Sequence, residues 1–280
     1  MAYKTILAVL DTPQNARQIA DFSIALAEKF SSHLIGAHAE TLAAVPLIAP
    51  MEIPDPAAVQ VLQEVAQKET AEVERIFKER TAREGLSAEW RSFMSAAGYS
   101  SASVMETART SDLIVASQSD PAHADHRADL ETFLFESGRP MLLVPYTMKE
   151  PVAINRILVA WNGSREAARA TFDSLPFLKA ATTVEILLID PPDRGDRAPE
   201  LAGTEIAATL ARHDINVTLT TQETGGSLPA AAVIENRLSD NSIDLLVMGG
   251  YGHSRWWEML FGGVTRSLLD SMTALTLLSR

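Results

Sequence analysis

The sequence predicts an α/β protein built as two tandem, doubly wound parallel-sheet domains related by a pseudo-two-fold. Three observations carry that expectation. First, the chain repeats itself: residues 5–24 read TILAVLDTPQNARQIADFSI and residues 156–175 read RILVAWNGSREAARATFDSL. Each is a short apolar run, a polar turn and an Ala-rich helical pattern, and an ordered internal repeat marks a duplicated structural unit. Second, the apolar runs are near-continuous (Ile157–Ala160, Ile186–Ile189, Leu245–Met248), as strands become when helices cover both faces of a sheet. Third, strands alternate with helical patterns, which gives βα units and a parallel sheet.

The elements follow in order within each copy. A second strand comes after the first helix, LIGAHA at 34–39 and VEILLID at 184–190. Later an Asp-led strand appears, SDLIVAS at 111–117 and IDLLVMG at 243–249, and a last strand closes each copy, MLLVP at 141–145 and LTLLS at 275–279. The expected order is strand, helix, strand, long excursion, helix, strand, helix, strand. In the first excursion Leu62, Val65, Ala66, Val73, Ile76 and Phe77 share a helical stripe, opposite Glu64, Lys68, Glu74 and Lys78. Its counterpart, Leu201 to His213, is shorter and follows PPDRGDRAP, a loop by composition. TLAAVPLIAPMEIPDP at 41–56 carries four prolines, so it is expected to lack regular structure and to pack as a lid or contact surface. The joint falls near Met148–Ile154, dividing the chain into 1–149 and 150–280.

Composition narrows the function. The 280 residues include no cysteine, which excludes disulfides, thiolate catalysis, iron–sulfur clusters and Cys-containing zinc sites. The formal charge of −12 is spread as −7 over residues 1–149 and −5 over 150–280. A net-acidic surface repels a phosphate backbone, so no nucleic-acid partner is expected. No apolar run approaches the ~20 residues that span a bilayer, so no membrane role is expected either. The opening apolar run stops at Asp11, too short for a signal-peptide core, and a cytoplasmic protein is the expectation.

Chemistry is expected at the carboxyl ends of the strands, where strand order reverses. In the second copy, GGYGHSRWWEMLFGGVTRSLL follows Leu245–Met248. Gly249 and Gly252 are three apart, nine residues separate Gly252 from Gly262, and Gly263, Val264 and Thr265 open an amphipathic helix carrying Leu268, Leu269 and Met272. Glycines let backbone N–H groups approach a phosphate, Thr265 adds a hydroxyl, and the helix start adds its dipole. No GxxxxGK[ST] occurs, and Gly250-Tyr251-Gly252 lacks the third glycine of a dinucleotide fingerprint, so a P-loop ATPase and a Rossmann dehydrogenase are excluded.

The Gly249-x-x-Gly252, nine residues, Gly262-Gly263-Val264-Thr265 pattern resembles the G-x-x-G, nine residues, G-[S/T] loop of the universal stress protein family. Trp161-Asn162-Gly163-Ser164 is similar to that family's first-strand exit, V-D-G-S, and the two-copy organisation resembles its tandem members. The resemblance implies a Rossmann-like fold of the adenine-nucleotide alpha hydrolase type and a stress-response regulatory or protective protein. It implies ATP or another adenine nucleotide at the second copy, with Mg²⁺ held through the phosphates, and no robust catalytic turnover. By the same resemblance Ala160, Trp161, Asn162 and Ile189 contact adenine, and Gly249, Tyr251, Gly252, Gly262, Gly263, Val264 and Thr265 hold ribose and phosphates. Two positions depart: Asn162 replaces an acid, and Gly263 replaces a Ser/Thr. Loss of that hydroxyl removes about 0.5–1.5 kcal/mol. The first copy departs further. No glycine stands between Gly98 and Gly138, Thr12-Pro13 follows Asp11, and Asp120, Asp125, Asp129 and Glu131 occupy the phosphate side, so no nucleotide is expected there.

Other candidates have plainer readings. His123 and His126 with Asp120 and Asp125 read as a solvated loop, at least one of Trp256 and Trp257 as an interface or packing residue, and His38 as a satisfied histidine at a strand end. Ser164 lacks a GxSxG elbow, so a hydrolase triad is not expected. A ligand-free scaffold of the same fold stays open, with Asn162 and Gly263 marking a decayed site. An adenine-binding synthetase or pyrophosphatase would need a Ser/Gly-rich loop after the first strand, which neither LDTPQ nor WNGSR supplies. The resemblance also implies that the closing strands, Met141–Val144 and Leu275–Leu278, pair antiparallel around a pseudo-two-fold axis, which would cover two edges. Two chains are expected to form a homodimer through Leu42–Pro56.

Overall fold

The computed structural model describes residues 2–42, 55–96, 100–119, 127–191, 203–250, 268 and 271–280. The chain divides into two compact units, one of Tyr3–Arg139 with Lys149–Pro151, the other built from Pro140–Met148 and Val152–Arg280.

The first unit runs β1 (Thr5–Val9), α1 (Pro13–Phe30), β2 (His33–Leu42), α2 (Pro56–Arg83), β3 (Ala88–Ala96), α3 (Ser100–Arg109), β4 (Leu113–Ser117) and α4 (Arg127–Glu136). Its strands are parallel in the order β3-β2-β1-β4. The second unit takes β5 (Met141–Val144), then β6 (Arg156–Ala160), α5 (Arg165–Asp173), α6 (Leu175–Ala180), β7 (Thr183–Ile189), α7 (Thr204–Ala211), β8 (Val217–Gln222), α8 (Ala230–Asp240), β9 (Leu245–Gly249) and β10 (Leu275–Ser279). Its order is β5-β10-β9-β6-β7-β8, all parallel except that β5 and β10 run antiparallel with Leu142 opposite Leu277. The closing-strand pairing is therefore as expected. Every residue of β4, β5 and β10 is buried, which is why those segments read as unbroken apolar runs.

The duplication extends to single hydrogen bonds. Asp112, leading β4, donates its N–H to the Thr5 carbonyl (2.9 Å), and its Oδ2 accepts from the N–H groups of Lys4 (2.8 Å) and Thr5 (3.0 Å). Asp244, leading β9, donates to the Arg156 carbonyl (2.9 Å) and accepts from Asn155 (2.9 Å) and Arg156 (2.8 Å). At the other end of the strands, Leu10 N–H donates to Ala37 and Trp161 N–H to Leu187, both at 2.9 Å. Each copy thus starts its switch strand with the same carboxylate clamp, and the two sequences align residue for residue along it.

Several expectations need correction. A third strand, β3 or β8, lies in each excursion. Their sequences, AEWRSFMSA and VTLTTQ, carry no apolar run because each lies at an end of the strand order, and β8 has no fully buried residue. On α2 the expected stripe holds at Ala66, Val73 and Phe77, but Val65 is 49% exposed. The proline-rich span is regular at both ends. Thr41–Leu42 complete β2, and Pro56 opens α2, where the first helical position has no N–H to lose. Asp55 caps that helix through Ala57 N–H at 2.9 Å, while residues 43–54 lie outside the described ones. His38 sits within β2 rather than at its end. It is buried, and its Nδ1 donates to the Leu10 carbonyl at 2.6 Å.

A partly buried ion pair ties α8 to the sheet. Glu185 on β7 accepts from Arg237 Nε (3.0 Å) and Nη2 and from Asn241 Nδ2 (3.2 Å). Burial pushes the Glu185 carboxyl up, but hydrogen bonds from Arg237, Thr220 and Asn241 outweigh it and hold the group below the usual carboxylate range. A depressed folded value means stability that is fully present above the unfolded value near ~4.3 and lost as pH falls through the folded one. Urea unfolding from pH 7 down to pH 3 is expected to show falling stability below about pH 4.3. Glu185→Gln is expected to flatten that slope, and a slope unchanged by the substitution would contradict the assignment.

Candidate functional site

In the second unit the chain proceeds from β6 outward to β7 and β8, then returns to place β9 on the other side of β6. The carboxyl ends of β6 and β9 are therefore the switch point at which open α/β sheets take ligands. Ala160 ends β6 and is paired with Met248, and Gly249 ends β9. Ala160, Trp161, Ile189 and Gly249 are all half-buried, directly beyond fully buried strand residues, and Asn162 is exposed. The structure thus brings five of the expected site residues, Ala160, Trp161, Asn162, Ile189 and Gly249, to the exits of three neighbouring strands. Tyr251, Gly252, Gly262, Gly263, Val264 and Thr265 lie outside the described residues, as do His123, His126, Asp120, Asp125, Trp256 and Trp257.

The turn after β6 is fixed by short polar side chains. Gly163 takes a left-handed φ of 73°, and Ser164 caps α5 by accepting from Ala167 N–H at 3.1 Å. Ser164 is thus a helix cap. Asn162 Oδ1 accepts from Ser164 N–H at 3.0 Å. A backbone N–H can only donate, so the Asn162 amide must turn its NH₂ group outward. Where an aspartate would offer acceptors, this exit offers two N–H donors, and no negative charge adjoins the α5 N-terminus from that position.

Two carboxylates at these exits were not singled out from sequence. Glu166 is 3% exposed in the first turn of α5. Burial pushes its carboxyl up, but hydrogen bonds from Arg165, its own backbone N–H and Ser164 leave it below the usual range. Asp190, directly after β7, has a φ of 43° and accepts from the Thr224 hydroxyl, Thr224 N–H (2.6 Å) and Gly225 N–H (3.2 Å). Those hydrogen bonds, the Thr224 hydroxyl first, lower its carboxyl. Asp190 therefore pins the β7 exit to the turn after β8. An Asp behind an apolar strand and a Thr-Gly-Gly turn are the available sequence signals, but nothing in the sequence joins them.

Gly249 has a packing role as well. A Cβ there would stand 2.6 Å from Ala167 N and 2.7 Å from Glu166 Cβ, so α5 sits directly on the strand end.

The first unit has the same switch point, between β1 and β4. With Asp112 and Asp244 equivalent, Ser117 and Gln118 stand where the second copy has Gly249 and Gly250. Both side chains are buried, 6% and 4% exposed, and Ser117 Oγ donates to the Gln118 carbonyl at 3.0 Å. Asp129 accepts from Ser100 Oγ (2.6 Å) and Ser101 N–H (3.1 Å) at the start of α3.

The chain superposes on a crystal structure of a universal stress protein from Archaeoglobus fulgidus DSM 4304 with a TM-score of 0.70, covering 99% of this chain and 98% of that one at 15% identity. The fold is that of the universal stress proteins. Coverage of both chains nearly end to end makes it the tandem form of that fold. The chain is also similar to a crystal structure of a functionally unknown protein from Pseudomonas aeruginosa PAO1, over 99% of this chain and 92% of that one, with a TM-score of 0.58 and 16% identity. No protein-family model and no curated protein matches the sequence. Among the described residues no helix is long and apolar enough to cross a membrane.

Proposed function

We propose that this chain is a stress-response regulatory or protective protein that binds an adenine nucleotide at the second copy. The observation that carries the reading is the contrast between two equivalent switch points. One ends in half-buried Gly249 beside half-buried Ala160 and Trp161, and at the other the equivalent Ser117, Val9 and Leu10 are all buried. Adenine lies against Ala160, Trp161, Asn162 and Ile189. Ribose and phosphates fall to Gly249, Tyr251, Gly252, Gly262, Gly263, Val264 and Thr265, with Mg²⁺ carried on the phosphates of ATP. The α5 N-terminus adds backbone N–H groups facing the same exits.

The reading is of a binder rather than an enzyme. Glu166 and Asp190 are both engaged in hydrogen bonds and held ionised. An ionised carboxylate of lowered pKa has no proton to give and is a weak base near pH 7. One observation favours the ligand-free scaffold as a second reading: packing against α5 already requires a glycine at position 249, so that glycine alone does not demand a ligand.

Thermal unfolding separates the two. Mg-ATP at a hundred times its dissociation constant is expected to stabilise the protein by about 2.7 kcal/mol, raising the midpoint by several degrees. No shift at millimolar Mg-ATP, with no nucleotide co-purified under mild conditions, is the scaffold outcome.

A further inference from the structure

We propose that β3, the end strand of the first unit, is a dimerisation edge that pairs antiparallel with β3 of a second copy of this chain, centred on Ser92. The proposal is independent of nucleotide binding. It starts from two facts about β3. The strand is hydrogen-bonded to β2 along nine residues, and no strand is paired to its other side among the described residues. It also bears Met94, which at 74% is the most exposed large apolar side chain described. This long end strand has no proline and no lysine, and its two charges, Glu89 and Arg91, offset each other in an ion pair at 2.9 Å, so the usual devices that keep sheet edges apart are weak here.

The second copy is the occupant because the strand is complementary to itself. A two-fold at Ser92 sets Trp90 opposite the partner's Met94, Arg91 opposite the partner's Phe93, and Glu89 opposite the partner's Ser95. No like charges face each other, and both faces gain a favourable cross-strand pair. Methionine sulfur against an aromatic ring covers one face, and a guanidinium against a phenyl ring covers the other. Trp90 is already a firm platform, its ring 6.4 Å from His38 in a stacked arrangement and 5.7 Å from Phe77. A two-fold at Arg91 would oppose two arginines. One at Trp90 would match Glu89 with Arg91 but leave Met94 uncovered. The other end strand, β8, carries no exposed large apolar residue and is the natural control.

The absence of cysteine makes the register testable. Ser92 is exposed, and residues directly opposite across an antiparallel pair have Cβ atoms about 4.5–5.5 Å apart, within reach of a disulfide after small adjustment. On mild oxidation the full-length Ser92→Cys protein is expected to become a covalent dimer, while Thr218→Cys on β8 stays monomeric. Sedimentation of the unmodified protein is expected to give about twice 30.4 kDa, and Met94→Lys is expected to give 30.4 kDa with an unchanged melting temperature. A wild-type protein at 30.4 kDa up to about 100 μM would overturn the proposal. So would a dimer that survives Met94→Lys, which is the outcome if the interface is Leu42–Pro56, or a Ser92→Cys protein that fails to cross-link.

Discussion

Deleting Leu275–Arg280 is expected to abolish the folded second unit. The six residues comprise all of β10, which is hydrogen-bonded to β9 on one side and β5 on the other. Removal leaves two strand edges bare where one chain segment had closed both. It also strips Leu275, Leu277 and Leu278, each no more than 1% exposed. At about 1.5–3 kcal/mol for each buried leucine, the apolar loss alone is comparable to the ~5–15 kcal/mol that holds a typical domain together. The truncated chain should keep, at most, the unfolding transition of the Tyr3–Arg139 unit. Scanning calorimetry checks this directly. A truncated protein with the full-length enthalpy and a single transition would show that β10 is not the central strand described.

Gly249→Ala should have the second-largest effect. The new Cβ would meet the backbone nitrogen of Ala167 and the carbonyl carbon of Glu166, both at 2.6 Å. Backbone atoms in the capped first turn of a helix cannot rotate away as a flexible side chain would. Either α5 lifts from the sheet, taking buried Ala167 and Ala170 with it, or β9 shifts its register with β6. Overpacking of this kind costs about 3 kcal/mol when nothing can move aside. Chemical denaturation should show that loss with nucleotide absent. Stability within about 0.5 kcal/mol of the parent, the range of ordinary surface changes, would mean that the strand end and helix are not in contact as described.

The two substitutions also mark what the sequence could and could not disclose. Strands buried on both faces, such as LLVMG and LTLLS, announce themselves as apolar runs, and the duplicated aspartates ahead of β4 and β9 reinforce the repeat. Two strands were hidden because each lies at an end of the strand order. Thr218 and Thr220 of β8 break any apolar run, and in AEWRSFMSA the polar residues do the same. The site divides in the same way. The exits of β6 and β9 follow from topology and Gly249 from the glycine pattern, while Ala160 and Asn162 are expected there only through the family resemblance. Glu166 could not be placed beforehand, because its burial depends on α5 descending onto Gly249. Nor could Asp190, whose partners Thr224 and Gly225 lie more than thirty residues away on the next strand's turn. At the first switch point the sequence offers carboxylates as the reason to expect no nucleotide, while the burial of two neutral side chains, Ser117 and Gln118, at the β4 exit has no signal in it.

The central claim is one nucleotide site per chain, in the second copy and not the first. Titration calorimetry of the intact protein with Mg-ATP measures it as a stoichiometry. The expected result is saturation at one molar equivalent per chain. Saturation at two equivalents, or no binding heat at any attainable concentration, would contradict it.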